Sequence, residues 1–129
     1  MQNILIADEN LESRVLLTEL CSEAGYKVTV GTSIAGVLNG IIKKTARVVL
    51  LGSSFDELTA QDLIPLFKKC CTNLDIIVVS SEITPPVTRK LRKEGIFYHL
   101  LKPVLPEDKE EFRQVVACAL NQPKHSYCW

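Results

Sequence analysis

The sequence predicts an α/β fold in which helices cover both faces of a five-stranded parallel sheet. Short apolar runs such as ILIA, VVLL and IIVV lack the polar alternate positions of a half-exposed strand. Segments of helical periodicity separate these runs, so that strand and helix alternate five times. With right-handed crossovers, this alternation favours a flavodoxin-like (βα)5 three-layer sandwich with strand order 2-1-3-4-5.

The element boundaries follow from the apolar runs and from capping residues. Asn10 is expected to cap the first helix and Gly25 to end it, with Leu11, Val15, Leu16 and Leu20 facing the core. The predicted strands are Asn3–Ala7, Lys27–Val30, Arg47–Leu51, Asp75–Val79 and Ile96–Leu101. The predicted helices are Leu11–Ala24, Ile34–Lys44, Ala60–Cys70, Pro85–Glu94 and Pro106–Asn121.

Length and charge limit the classes of function. The 129 residues suit one domain, predicted over 1–121 and followed by a short tail, 122–129; whether an output domain follows Trp129 is left open. The 15 basic and 15 acidic residues balance, so no overall field directs the chain toward nucleic acid or a membrane surface. No apolar run approaches the roughly 18 residues of a membrane span. A cytoplasmic location is expected.

The five cysteines are odd in number and irregularly spaced, without a C-x-x-C pair. We therefore expect neither a disulfide nor a metal framework. Cys21 and Cys118 are predicted to lie on apolar helix faces as small hydrophobic residues. The adjacent Cys70 and Cys71 are expected to end a helix, with a redox switch as the alternative.

Basic residues collect near the predicted helix ends. Three dibasic pairs lie in last turns, where cations offset the helix dipole by about 0.3–1 kcal/mol each. They are Lys43-Lys44, Lys68-Lys69 and Arg92-Lys93. Arg89 and Lys90 make the fourth helix the most basic surface, which we interpret as a solvated face rather than a nucleic-acid site.

Polar residues stand where four of the predicted strands end. In the order 2-1-3-4-5 these carboxyl ends are neighbours, which is where ligands gather in such sheets. The residues are Asp8 and Glu9, then Gly52, then Ser80 and Ser81, then Lys102 and Pro103. Adjacent carboxylates can be relieved by Mg²⁺, and a hydroxyl and a lysine can contact a phosphoryl group.

These four strand ends, ILIADEN, VVLLG, VVSSE and LLKP, resemble the site-bearing strands of a response-regulator receiver domain, and the resemblance spans essentially the whole chain. It implies that Asp8 and Glu9 hold Mg²⁺ and that Ser80 contacts the phosphoryl group. It also implies that Lys102 and Pro103 form the family's Lys-Pro pair, typically through a cis peptide.

The chain departs from the family at its central residue. Gly52 stands where receivers carry the phosphoacceptor aspartate, and glycine offers no side-chain nucleophile. Mg²⁺ binding is expected to be weak or absent, with Asp8, Glu9 and the Ser54 carbonyl as the remaining ligands. Asp56 and Glu57 are alternative acceptors, displaced by several residues of loop.

Further departures concern the loop and the switch position. Phe55-Asp56 and Ala60 replace the family's Met-Pro pair and glycine, which predicts a reshaped loop. His99 stands where receivers commonly carry a switching aromatic residue, and is either a pH-sensitive switch or a partly exposed histidine without a special role. Lys102 is expected to pair with Asp8, with residual metal or anion binding as the alternative.

The leading hypothesis is a degenerate receiver-like domain that acts by phosphorylation-independent protein–protein interaction. It is not an enzyme and requires no cofactor. The resemblance implies that it contacts a histidine kinase or downstream effector, or a second copy, through the fourth helix, fifth strand and fifth helix. That face carries Arg89, Lys90, Lys93 and His99. The alternatives are a phosphoreceiver using Asp56, and a flavodoxin-like small-ligand binder, which the lack of glycine in ADENLES disfavours.

Overall fold

A computed structural model of the chain describes residues 3–43 and 46–121. Its strands are β1 Asn3–Ala7, β2 Lys27–Val30, β3 Val48–Gly52, β4 Ser54–Phe55, β5 Leu58–Thr59, β6 Asp75–Ser80 and β7 Tyr98–Leu101. Its helices are α1 Leu11–Glu23, α2 Ile34–Ile42, α3 Ala60–Cys70, α4 Pro85–Lys93 and α5 Pro106–Leu120. The five long strands form one parallel sheet in the order β2-β1-β3-β6-β7, which confirms the predicted 2-1-3-4-5.

Two apolar layers lie on opposite faces of this sheet, because successive side chains of a strand point to opposite sides. On one face Leu5, Val49 and Leu51 pack with Phe67 of α3. On the other face Ile4, Ile6, Val48 and Leu50 pack with residues of α1 and α5, including Leu17 and Phe112. All five residues of β3 are buried, as a central strand covered on both faces requires.

The edge strand β2 is less covered than the central strands. Lys27, Thr29 and Val30 are exposed, since β2 pairs with β1 alone. The segment KVTV is therefore an edge strand, and its first residue, Lys27, is charged, which is a common feature of sheet edges.

Helix α1 is rotated relative to the predicted orientation. Leu11 is 64 % exposed and Val15 is 48 % exposed, so the expectation that both face the core is wrong. Ser13, Leu17, Leu20 and Cys21 are buried instead. The predicted cap is confirmed, because the Ser13 amide donates to Asn10 Oδ1 at 2.9 Å. Gly25 follows the helix with a φ of 87°, a left-handed conformation that favours glycine.

A short antiparallel hairpin, β4–β5, follows β3 in the loop that the sequence predicts to be reshaped. Its corner residues Asp56 and Glu57 have φ values of 50° and 70°. Positive φ at both corner residues is typical of two-residue hairpin turns, whose twist matches the twist of the strands they join. Aspartate tolerates this conformation better than most residues. Asp56 also accepts a hydrogen bond from the Ile34 amide at 2.8 Å, which anchors the hairpin to the first residue of α2.

The cysteines follow the prediction only in part. Cys21 is buried, and burial raises the pKa of its thiol to about 12. Cys118 is exposed rather than on a buried face, because it lies on the outer side of α5. Cys71 is disulfide-bonded, so the expectation of no disulfide is wrong, and its partner lies outside the described residues. The predicted tail 122–129 and the predicted basic helix end at Lys44 also lie outside the described residues. An odd cysteine count does not exclude a single bridge between two of the five.

The basic helix ends are confirmed at α3 and α4. Lys68 and Lys69 lie in the last turn of α3, and Arg92 and Lys93 lie in the last turn of α4. No helix within residues 3–43 and 46–121 combines the length and apolar character needed to cross a bilayer.

Candidate functional site

The carboxyl ends of β1, β3, β6 and β7 meet around an open crevice of about 340 Å³. Every residue that the sequence placed at these ends borders it, apart from Gly52 and Pro103, which are buried. Its lining is mainly polar and consists of Asp8, Glu9, Asn10, Ser13, Ser53, Ser54, Val79, Ser80, Ser81 and Lys102. The predicted site residues are therefore brought together at one edge of the sheet.

The Asp8 carboxylate covers Gly52. A Cβ added at Gly52 would lie within 2.6 Å of both Asp8 carboxylate oxygens, closer than such contacts occur in proteins. Asp8 therefore occupies the volume that any side chain at position 52 would enter. The space beside Gly52 is thus filled by the Asp8 carboxylate and is not open.

Burial dominates the electrostatics of Asp8. Its side chain is 5 % exposed, and burial raises the pKa of its carboxyl above the ordinary value. The Asn10 amide, which donates to Asp8 Oδ1 at 3.0 Å, and the charge of Lys102 lower the pKa again without cancelling the effect of burial. The surroundings of Asp8 therefore stabilise its charged form less well than water does.

The residues present do not fit a magnesium ion. The Ser54 carbonyl accepts a hydrogen bond from the Glu9 amide at 3.3 Å, so it is engaged within the loop. Glu9 is exposed, and Gly52 provides no side-chain oxygen. No group of three or more His, Cys, Asp or Glu side chains able to hold a metal occurs within the described ranges. A hard divalent cation favours several protein oxygens arranged together, which this crevice does not offer.

Lys102 borders the crevice without pairing with Asp8. Its Nζ lies 4.0 Å from Glu12 Oε2, an exposed carboxylate at the start of α1. The expected Asp8–Lys102 salt bridge is therefore wrong as a contact, although the charge of Lys102 still lowers the pKa of Asp8. The described residues contain no cis peptide bond, so the Lys102–Pro103 peptide is trans, contrary to the resemblance. Trans is the more stable isomer of an X-Pro bond by about 0.5–1 kcal/mol.

Ser80 lines the crevice and is hydrogen-bonded to His99. Its Oγ lies 2.9 Å from His99 Nε2, and the other ring nitrogen, Nδ1, lies 3.0 Å from Thr88 Oγ1. Register places His99 opposite Val78 on β6, two residues before Ser80. The three side chains form a continuous Ser80–His99–Thr88 chain from the end of β6, through β7, to α4.

His99 is buried, which corrects the expectation of a partly exposed histidine. Its side chain is 8 % exposed because α4 covers it, and Thr88 satisfies its outer nitrogen. Burial lowers the pKa of the imidazole, and the nearby charge of Arg92 lowers it further. Sequence reasoning singled out Ser80 and His99 but missed Thr88, since a threonine within a basic helix carries no distinctive local signal.

Asp56, the alternative acceptor, lies apart from the crevice. Its carboxylate caps α2 through the Ile34 amide, and Asp56 and Glu57 are both absent from the crevice lining. The reshaped loop thus directs the Asp56 carboxylate toward α2.

No family model matches the chain. It is 30 % identical over 122 residues to the DNA-binding transcriptional regulator NtrC of Bradyrhizobium sp. (strain RP501 Parasponia), covering 95 % of this chain and 25 % of the relative. The chain therefore spans about a quarter of the length of that regulator. It is also 25 % identical over 109 residues to the two-component response regulator ORR3 of Oryza sativa subsp. indica, covering 82 % of this chain and 83 % of the relative.

Solved structures show the same fold. A response regulator receiver domain protein from Clostridium thermocellum superposes with a TM-score of 0.80 at 20 % identity, over 94 % of this chain and 95 % of that one. A CheY-like receiver domain protein from Methanospirillum hungatei JF-1 gives a TM-score of 0.77 at 17 % identity, over 95 % and 99 %. The chain thus has the fold of response-regulator receiver (CheY-like) domains and is similar in sequence to a two-component response regulator and to part of a transcriptional regulator.

Proposed function

We propose that this chain is an atypical receiver domain that acts in two-component signalling by protein–protein contact, without phosphorylation at the end of β3. One observation carries the proposal. Gly52, a buried residue, ends β3, and the Asp8 carboxylate, which lines the crevice, fills the space that an acceptor side chain would need. Acyl-phosphate formation requires a carboxylate nucleophile at the reacting position, and Gly52 has none.

The proposal extends to the chemistry of the crevice. A domain of this kind is not an enzyme and requires no cofactor, which agrees with the poor fit of the crevice to Mg²⁺. The phosphoreceiver alternative draws less support, because the Asp56 carboxylate is engaged with the Ile34 amide and lies apart from the crevice. The small-ligand alternative draws less support for want of a glycine-rich phosphate loop after β1.

The proposed contact surface is the α4–β7–α5 face, defined by α4, the exposed residues Tyr98 and Leu101 of β7, and the first half of α5. Its two helices carry opposite charge: Arg89, Lys90, Arg92 and Lys93 on α4, and Glu107, Asp108, Glu110 and Glu111 on α5. The Tyr98 hydroxyl donates to Glu111 at 3.1 Å and joins β7 to α5.

Such a face suits two kinds of partner. A two-fold dimer would set the basic α4 of one copy against the acidic α5 of the other, since a two-fold interface must be self-complementary. A histidine kinase or downstream effector with a similar pair of charged surfaces would bind by the same attraction. The similarity to a DNA-binding transcriptional regulator favours transcription as the output, with this domain in the cytoplasm and contacting neither DNA nor membrane itself.

The test is the intact mass of the full chain after incubation with Mg²⁺ and acetyl phosphate. The native chain is expected to gain no phosphoryl group. Gly52→Asp tests whether the rest of the site can support transfer once Asp8 moves aside, and Gly52→Asn is its matched control, with the same size and no nucleophile. A hydroxylamine-labile phosphoryl group on the native chain would overturn the proposal.

A further inference from the structure

The Ser80–His99–Thr88 chain joins the crevice to the proposed contact surface. Ser80 lines the crevice at the end of β6, and Thr88 lies near the middle of α4. His99 is the residue that touches both, through hydrogen bonds of 2.9 Å and 3.0 Å. The buried imidazole therefore holds α4 to the end of β6 through side-chain hydrogen bonds rather than through apolar contact alone.

The protonation state of His99 sets the direction of both hydrogen bonds. A neutral imidazole donates through one nitrogen and accepts through the other, so one hydroxyl donates to the ring and the other accepts from it. An imidazolium donates through both nitrogens, so both Ser80 and Thr88 must accept. Protonation thus forces a hydroxyl proton to turn away and leaves a charge in a buried position.

The surroundings of His99 oppose that charge. Strand β6 presents Ser80 and the apolar Val78, and α4 presents Thr88 and the cation of Arg92. Its neighbour on β7, Tyr98, directs its hydroxyl to Glu111 of α5 instead. Within the part of the chain that the structure describes, no carboxylate is among the groups that shift the pKa of His99. A buried imidazolium beside an arginine is therefore unfavourable.

We propose that His99 is a protonation-sensitive link between α4 and the sheet. The neutral ring holds α4 against the sheet through its two hydrogen bonds, and protonation at acidic pH releases α4 and weakens the α4–β7–α5 face. The consequence for partner binding rests on the proposed function, but the release of α4 does not. Acid would then act on the contact surface through a residue that itself lies beneath it.

The experiment measures amide hydrogen exchange of the full chain at about pH 7.5 and at about pH 4.5, the latter well below the ordinary imidazole pKa because burial and Arg92 lower the pKa of His99. Rates are converted to protection factors, which removes the intrinsic pH dependence of exchange. Protection of the α4 amides is expected to fall several-fold at the lower pH relative to the α1 amides. His99→Gln, which does not titrate, is expected to abolish this difference, whereas His125→Gln, which removes the chain's other histidine, is expected to keep it.

A second measurement guards against a variant that does not fold. In the native chain, the NMR titration of the His99 ring protons is expected to share its midpoint with shift changes at the Thr88 and Arg92 amides. Protection of α4 that is independent of pH, or an unchanged pH response in folded His99→Gln, would overturn the proposal. Neither readout involves phosphate, so its failure is distinguishable from a phosphorylated native chain, which would overturn the proposed function.

Discussion

The two halves of the crevice differ in what their polar residues do. At the ends of β1 and β3, Asp8 covers Gly52, and a buried carboxylate lies where an acceptor side chain would stand. At the ends of β6 and β7, Ser80 is hydrogen-bonded to His99, and His99 is also hydrogen-bonded to Thr88 of α4. One half of the crevice is thus closed over a residue without a side chain, while the other half is joined to α4 by hydrogen bonds.

The largest expected effect comes from the β6–β7 half. His99→Ala removes the imidazole and leaves the hydroxyls of Ser80 and Thr88 without their partner in a buried position. We expect a loss of about 2–4 kcal/mol in the free energy of unfolding, from cavity and unsatisfied polar groups together. Chemical denaturation measures it, with His125→Ala as the matched control. A loss no larger than that of the control would mean that the Ser80–His99–Thr88 chain contributes nothing to stability.

The β1–β3 half is tested by filling the space above Gly52. Gly52→Val forces the Asp8 carboxylate to move, and overpacking of this kind costs about 1–3 kcal/mol. Asp8→Ala opens that space, so the double variant should be less destabilised than the two single changes predict by addition. Denaturation of all four proteins closes the cycle. Strict additivity would show that Asp8 and position 52 do not compete for the same volume.

The pH dependence of stability separates the two halves. The pKa of His99 is lowered from 6.5 by burial and then by Arg92, so the folded chain binds fewer protons than the unfolded chain. Stability is therefore expected to fall as the pH drops through about 6.5. The pKa of Asp8 is raised from 3.8 by burial, so its contribution has the opposite sign and stabilises the fold as the pH falls toward 3.8.

Thermal unfolding across this pH range measures both contributions. His99→Gln should flatten the loss near pH 6.5, and Asp8→Asn should remove the gain at lower pH. An unaltered profile in either folded variant would contradict the assignment of that residue.

The smallest expected effect concerns Lys102. Its contact with Glu12 is long, and the Glu12 side chain is 90 % exposed, so Lys102→Gln should cost no more than about 0.5 kcal/mol. The same variant should raise the pKa of Asp8 further, because the charge of Lys102 lowers it now. Denaturation and a carboxyl NMR titration measure the two quantities. A large loss of stability would show that Lys102 compensates Asp8 directly, as the sequence suggested.

Residues whose role depends on periodicity were predictable from the sequence. The central strands β1 and β3 have apolar runs that only a sheet buried on both faces explains, and Asn10 and Gly25 mark the ends of α1 by local capping rules. The exposure of Leu11 and Val15 was not predictable, because apolar residues at helical spacing do not reveal how a helix is rotated on its sheet. The exposure of β2 follows from its position at the edge of the sheet, which the predicted strand order 2-1-3-4-5 already gave.

The site was predictable as a set of positions but not as a set of contacts. Strand ends brought Asp8, Ser80 and Lys102 together, as the topology requires. The closure of Asp8 over Gly52, the bond from Thr88 to His99 and the hairpin that directs Asp56 to α2 depend on side-chain conformations and loop geometry. No local sequence rule fixes those features.

The most direct test of the central claim is the amide NMR spectrum of the native chain before and after addition of Mg²⁺ and acetyl phosphate. We predict that resonances around Gly52 and along α4 stay in place, because Gly52 has no side-chain nucleophile and the crevice offers a poor set of metal ligands. Shifts of both groups of resonances that reverse as the phosphodonor is consumed would show that the chain is phosphorylated and would contradict the proposed function.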